Sequence, residues 1–390
     1  MDLRTRRRTT SAEVDASEEH VEKQVLTRLE LCHRLGKGAY GMVWKVVEKR
    51  TRRVVALKKC FDVFRRPIDA QCTYREIMYL EKFAGHDNIV GLQHVIKSDS
   101  NQDVYLTFEH MQTDLLAVIR EQILQPIHIK YVVYQILKAL KYVHSAGVVH
   151  RDVKPSNVLI NEDCHVRLCD FGLARSCVFD TETHNPQHTD YASTRWYRAI
   201  EVLLGSTKYT QAVDVWGLGC VCGEMFLGRP VFPGVSTIDQ IARIRDLLGA
   251  PDDDLEVLQI SAYAPTLLEM LPPLRPVSFV QVFPDVSAEA INFLGMCLTF
   301  LPAMRFPVPD ALKHPYMAEF HDPDDEPSFP TTIKLALDDY QVYTIDDYRN
   351  AIYDTIFKRK VAARKLELKC MTNPASVALM EHEETLPEPF

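Results

Sequence analysis

The hydrophobic period of the chain changes once. Between about Arg28 and Tyr105, apolar residues fall in short β-patterned runs, RLELCHRL, MVWKVVEK, VVALKKC, NIVGLQHVIK and DVYLTFE, broken by turn residues. One helical stripe interrupts them: Tyr74, Ile77, Leu80 and Phe83 predict a helix around residues 70–84. Past Met111 the spacing becomes three and four. There LLAVIREQI, IKYVVYQILKALKYVHSAG, QAVDVWGLGCVCGEMFLG and IDQIARIRDLLG predict helices, two of which run into Gly147 and Gly249, residues suited to a helix C-terminus. The pattern predicts an α+β chain, a small β-rich lobe and then a larger, mostly helical one, with a hinge at Met111–Asp114.

The two ends read differently. Residues 1–25 form a polar, flexible leader, although Val21, Val25 and Leu29 repeat at four-residue spacing and predict a short helix at its end. Residues 321–333, rich in Pro, Asp and Phe, read as extended. Thr344-Ile345-Asp346-Asp347 then resembles a capping box and opens a helix with Ile345, Tyr348, Ile352 and Ile356 on one face. The expected divisions are a leader at 1–25, a small lobe at 26–111, a large lobe at 112–320, and an extension at 321–390 whose helix packs back on the rest.

Composition narrows the function classes. The chain has 390 residues, 46% hydrophobic and 25% charged, which is ordinary globular usage. A formal charge of −8 argues against nucleic acid or an anionic membrane as a general partner. No run reaches the roughly 20 apolar residues of a membrane span. Ten cysteines without CxxC or Cys/His metal spacing read as reduced thiols and imply a cytoplasmic or nuclear protein. The Arg4–Arg8 cluster reads as a solvated tail, with a nuclear address as the alternative.

Three groups of residues carry chemistry. Gly36-Lys37-Gly38-Ala39-Tyr40-Gly41 has the GxGxxG spacing but is followed by a β-patterned run, which favours a phosphate-covering hairpin over a dinucleotide fold. Lys58, in Val55-Ala56-Leu57-Lys58, can hold phosphate oxygens if a carboxylate such as Glu76 fixes its ammonium. The third group is His150-Arg151-Asp152-Val153-Lys154-Pro155-Ser156-Asn157 with Asp170-Phe171-Gly172 downstream. Phosphoryl transfer needs an acceptor for the attacking hydroxyl's proton, oxygen ligands for magnesium, and cations for the transferred group. Asp152 supplies the first, Asn157 and Asp170 the second, and Lys154 with Lys58 the third.

With these motifs, residues from about 26 to 320 resemble the eukaryotic protein kinases. GAYG at 38–41, YREI at 74–77, TDLLAVI at 113–119, HRDVKPSN at 150–157, DFGLAR at 170–175 and TRWYRA at 194–199 are similar to the mitogen-activated protein kinases. The tail, HDPDDEP and then LDDYQVYTIDDYRNAIYDTI, resembles their atypical branch, whose members often phosphorylate their own activation loop. The resemblance implies a bilobal protein kinase fold that uses ATP and Mg2+. It places Gly36, Lys37, Gly38, Ala39, Tyr40, Gly41, Val43, Ala56 and Lys58 around the nucleotide, adenine on the backbone of Glu109 and Met111, and Phe108 at the gatekeeper position. Cys169 would lie near the nucleotide, Thr194 would position Asp152 and Lys154, Asp214 would hold the catalytic-loop backbone, and Glu201 would pair with Arg305.

The run HTDYASTRWYRAIE at 188–201 is then a switch. Thr189 and Tyr191 are the expected phosphorylation sites, with Arg75, Arg151 and Arg175 as receptors for the first phosphate and Arg195 and Arg198 for the second. Ile200 stands where the family has proline, which predicts a looser segment but an intact lobe. The resemblance also implies a monomer acting on Ser/Thr-Pro sites of protein substrates, bound through docking peptides and activated by an upstream kinase or by itself. Asp338, Asp339, Asp346 and Asp347 read equally as an acidic docking site or as helix-start charges. The alternative function is a pseudokinase or scaffold that binds partners without phosphoryl transfer.

Overall fold

Each β-patterned run is a strand in a computed structural model of the chain, which describes residues 20–38, 41–177, 194–206, 210–249, 261, 264–338, 341 and 343–372, the side chains of 363 and 366–372 excepted. The chain divides into two units. The first takes the residues up to Ile77, Gly91–His110 and those from Tyr343; the second takes Met78–Val90 and Met111–Val342.

In the first unit, β1 (Leu29–Gly38), β2 (Gly41–Glu48), β3 (Val54–Cys60), β4 (Leu92–Lys97) and β5 (Val104–Glu109) form one antiparallel sheet in the order β1-β2-β3-β5-β4. Alternation assigns its faces. Met42, Trp44 and Val46 of β2, Val55 and Leu57 of β3, and Tyr105 of β5 point into one core cluster. Val21, Val25 and Leu29 belong to the same cluster, and α1 (Lys23–Leu26) is the short helix their spacing predicts. The leader expected at 1–25 is therefore corrected at its end: residues 20–25 are anchored. Tyr105 Oη accepts the Glu22 N–H at 3.3 Å, and the buried Lys59 ammonium reaches the His20 carbonyl at 3.0 Å and Asp103 at 3.1 Å.

The helix α2 (Pro67–Lys82) and the residue after it bury the expected stripe, Tyr74, Ile77, Leu80 and Phe83. The C-terminal helix (Ile345–Thr372) opens with the box read from sequence: Thr344 Oγ1 accepts the Asp347 N–H, and Asp347 accepts from the Thr344 N–H at 2.8 Å. Tyr348, Ile352 and Ile356 are buried, Tyr348 lies against Tyr74, and Arg359 donates to the carbonyls of Leu92 and Gln93.

The second unit is built on α3 (Leu115–Glu121), α4 (Pro126–Ser145), α5 (Ile200–Leu203), α6 (Ala212–Leu227), α7 (Thr237–Leu248), α8 (Ala264–Glu269), α9 (Phe279–Val282), α10 (Ala288–Cys297) and α11 (Val308–Leu312). Every residue of α6 from Val213 to Met225 is buried, as its apolar sequence demands. Short strands pin the loops between helices: β6 (Thr113–Asp114), β8 (Val158–Ile160) and β9 (Val166–Leu168) form one sheet, while β7 (Val148–Val149) pairs with β10 (Arg175–Ser176). Gly147 and Gly249 take positive φ past α4 and α7. The 321–333 segment is fastened to α4 and the residue after it: Phe329 N–H donates to Ser145 Oγ at 2.7 Å and Ile333 N–H to the Ala146 carbonyl at 2.9 Å.

Ile200 is the first residue of α5 and fully buried. A first-turn N–H has no partner within its helix, so the N–H that isoleucine restores there gains no helical bond, and the side chain fills core space. Beside it, Glu201 and Arg305 form a bidentate pair at 2.8 and 2.7 Å with almost no exposure. Arg305 also donates to the carbonyls of Thr299 and Ala212 and lies 4.8 Å from the Trp216 ring. Arg305→Met leaves a buried carboxylate without its partner and is expected to cost about 3–5 kcal/mol in urea denaturation, while adding Glu201→Leu should recover much of that loss.

Candidate active site

In the first unit, β3 and α2 bring Lys58 and Glu76 together: Lys58 Nζ lies 2.6 Å from Oε1 and 2.8 Å from Oε2. Strand pairing sets Val43 opposite Lys58, and Ala56 opposite Phe108, so these four residues share a sheet face. The three glycines differ. A Cβ at Gly36 would meet nothing within 4 Å and one at Gly38 only the Gly41 carbonyl oxygen at 3.9 Å, whereas one at Gly41 would stand 2.3 Å from the Lys59 carbonyl oxygen. A side chain would find room at Gly36 and Gly38, whereas Gly41 is required by the close approach of β2 to β3, a packing reason that stands beside the expected nucleotide role. Lys37 is exposed, and Ala39 and Tyr40 lie outside the described residues. Glu109 ends β5 with its carboxylate on the Gly91 N–H at 2.7 Å, and the buried Met111 begins the next stretch of the second unit.

In the second unit the catalytic-loop motif hangs on Asp214 of α6. Its Oδ2 accepts the His150 N–H and bonds His144 Nε2, each at 2.8 Å, and its Oδ1 accepts the Arg151 N–H at 2.7 Å. Burial alone would raise the Asp214 carboxyl; the hydrogen bond from His144, the electrostatic influence of His144 and His150, and the His150 N–H outweigh it and hold the group below its ordinary value. The loop is clamped where Arg151 adopts a φ of 70°, a region costly to a residue with a Cβ. His150 Nδ1 accepts the Asp152 N–H at 3.2 Å, which leaves Nε2 to donate to the Cys169 carbonyl at 3.0 Å. The same ring meets Phe171 edge-on, so the 150–157 and 169–172 loops are joined.

Asp152 Oδ2 receives Lys154 Nζ at 2.6 Å and Asn157 Nδ2 at 2.9 Å. With Nδ2 so engaged, Oδ1 of Asn157 is the atom suited to a cation. Asp170, held at φ 64°, presents a carboxylate from the next loop. Two hard oxygen donors suit magnesium. Thr194 is exposed, and Lys154 and Asn157 both bond the Asp152 carboxylate.

The expected phosphate receptors are placed, but Thr189 and Tyr191 lie outside the described residues. Arg75 is buried on α2; Arg151, which donates to the Leu173 carbonyl, and Arg175 on β10 are half-buried. Arg195 and Arg198 flank a turn tied down by Trp196 on the Gly234 carbonyl and Tyr197 Oη on Glu224. Among the candidate docking residues, Asp346 pairs with Arg349, Asp347 caps the helix and Asp338 accepts from Gln341; Asp339 is outside the described residues. The sequence reading missed His144, whose only signal is its place at the end of α4, six residues before His150.

This geometry defines a protein kinase. The family described as "Protein kinase domain" matches residues 29–317. The chain is 49% identical over 361 residues to "Extracellular signal-regulated kinase 2" of Dictyostelium discoideum, covering 92% of this chain and 96% of that one. It is 44% identical over 359 residues to "Mitogen-activated protein kinase 15" of Xenopus laevis, covering 91% of this chain and 61% of the relative. "Extracellular signal-regulated kinase 7" of Drosophila melanogaster is 38% identical over 87% of this chain and 38% of its own length. The chain belongs to the protein kinase family and, within it, to the mitogen-activated protein serine/threonine kinases, with relatives of the atypical type. The pseudokinase alternative is not supported.

Because the folded Asp214 carboxyl titrates below the unfolded reference of 3.8, the stability it contributes is complete above that value and is lost as pH falls through the folded one. Asp214→Asn turns an amide toward donors and should cost about 2–4 kcal/mol at neutral pH. Denaturation curves taken at pH 7 and then in steps downward from pH 4 should show a shallower loss of stability with acid in the variant than in the wild type.

Proposed function

We propose that the chain transfers the γ-phosphoryl group of magnesium-bound ATP to serine or threonine hydroxyls followed by proline, and that phosphorylation of Thr189 and Tyr191 switches the transfer on. The observation that carries this reading is the Lys154–Asp152–Asn157 group. When bound, ATP supplies the transferred group and magnesium neutralises its charge. Asp152, its carboxylate oriented by two donors, takes the proton of the attacking hydroxyl, and Lys154 stays beside it to stabilise developing negative charge. Asn157 and Asp170 would hold the metal. Lys58, fixed by Glu76, would hold phosphate oxygens together with the Gly36–Gly38 backbone, Val43 and Ala56 would offer the adenine apolar contact, and the backbone of Glu109 and Met111 would bond its edge.

In the switch, a phosphate on Thr189 would draw Arg75, Arg151 and Arg175, cations from three elements. Arg195 and Arg198 would receive the phosphate on Tyr191. The resemblance to the atypical branch favours the chain itself as activator, and the TRWYRA segment favours proline after the acceptor. Protein partners dock through basic peptides on Asp338 and Asp339, while Asp346 and Asp347 serve the helix start. Ten cysteines without CxxC or Cys/His metal spacing support a reducing compartment, cytoplasmic or nuclear.

Protein made alone in bacteria and incubated with Mg-ATP and a Ser/Thr-Pro peptide should transfer phosphate, and Asp152→Ala should lower the rate by about 10²–10⁴. Phosphosite mapping should find Thr189 and Tyr191 modified in the wild type and unmodified in Asp152→Ala. Equal background transfer by both proteins, once Thr189 and Tyr191 carry phosphate, would sink the enzyme reading. Charge reversal at Asp338 should weaken basic-peptide binding most at low salt.

A further inference from the structure

The first unit carries a recess of about 480 Å3 that the kinase chemistry does not use. Three elements that are far apart in sequence line it. Arg28 comes from the link between α1 and β1, Lys97 from the end of β4, and Lys360 from the C-terminal helix. Asp99 is the one carboxylate in the lining; Glu22 stands close by, with its carboxylate on the Asp99 N–H and the Gln24 amide. Positive charge dominates here on a chain whose formal total is −8.

The charge does not stop at the recess. Buried His94 nearby in β4 is held down to about 3, mainly by burial and in lesser part by Arg359 and Arg28. The C-terminal helix continues from Lys360 with exposed Arg364 and Lys365, and Lys358 precedes it, so the basic character extends beyond the recess. Lys97 is held in place, its ammonium 4.5 Å from the Tyr353 ring centre, and the Asn101 amide adds hydrogen-bonding capacity at the rim.

From this convergence we infer that the recess binds a phosphorylated serine or threonine side chain of a protein partner. A phosphate dianion satisfies ammonium and guanidinium groups together, and the guanidinium fork can bind it bidentately. The volume exceeds that of the phosphate and leaves room for the side chain and its neighbours. The lining has no aromatic face on which a base could stack, which disfavours a nucleotide. Its apolar member, Ile96, matches an aliphatic stem. The site is separate from the catalytic residues, so a kinase using it would be held to proteins that already carry phosphate.

The test uses the full nitrogen-15-labelled chain and three probes: a pentapeptide with phosphoserine among alanines, its unphosphorylated twin, and inorganic phosphate. Amide signals of residues 27–28 and 96–101 should shift and saturate with the phosphopeptide, stay still with the twin, and respond far more weakly to inorganic phosphate. Lys360→Glu, at an exposed position, should weaken phosphopeptide binding about tenfold or more with unchanged thermal unfolding; Lys97→Glu should do the same. Equal responses to inorganic phosphate and phosphopeptide would mean an adventitious ion only. That result, an equal response to the unphosphorylated twin, shifts confined to other residues, or unchanged affinity in Lys360→Glu would each overturn the proposal.

Discussion

A carboxylate with no solvent exposure, Asp214, sets the shape on which the catalytic loop depends. A buried charge is tolerated only when donors surround it. Asp214 takes its donors from the backbone of His150 and Arg151 and from the ring of His144. The requirement works in both directions: the loop satisfies the charge, and the charge keeps Arg151 in a backbone region it would otherwise leave. Since α6 is buried from Val213 to Met225, the orientation of Asp152 rests on the packing of the large core more than on the loop itself. His150 passes the constraint to Cys169 and Phe171, so the loop bearing Asp170 is set by the same anchor.

Much of this arrangement was legible in the sequence because it follows from periodicity and local chemistry. Alternation gave the five strands of the first unit, three- and four-residue spacing gave the main helices, and Thr344 with Asp347 announced the last one. The Lys58–Glu76 and Glu201–Arg305 pairs followed from family spacing, since no local pattern joins residues 104 positions apart. Other features were hidden for physical reasons. The spacing of Val21 and Val25 announced a short helix, but not the core around Tyr105 that its apolar face would join. A glycine written into a phosphate motif does not reveal that its missing Cβ makes room for a neighbouring strand. The positive φ of Arg151 and Asp170 leaves no mark in composition, because these backbone conformations are imposed by partners distant in sequence.

The first unit is closed by both ends of the described chain. Residues 20–26 cover one side of the core around Tyr105, and the C-terminal helix brings Tyr348, Ile352 and Ile356 to bear after more than half the chain has intervened. The Arg359 bonds to the Leu92 and Gln93 carbonyls tie that helix to β4. Contacts of such sequence separation carry a loop-closure cost and favour late completion of this unit during folding.

Lys58 and Lys59 stand next to each other on β3 and serve opposite faces of the sheet, one toward Glu76 and the other toward His20 and Asp103. A slip of one residue that carried Lys58 into the place of Lys59 would still supply His20 and Asp103 with an ammonium, but it would set Leu57 before Glu76 and leave that carboxylate without its cation. Volume penalises the same slip: it would put Ala56 in the place of buried Leu57 and leave the core short of a large side chain. The position of the lysine that meets Glu76 is thus decided by charge and by its apolar neighbour together.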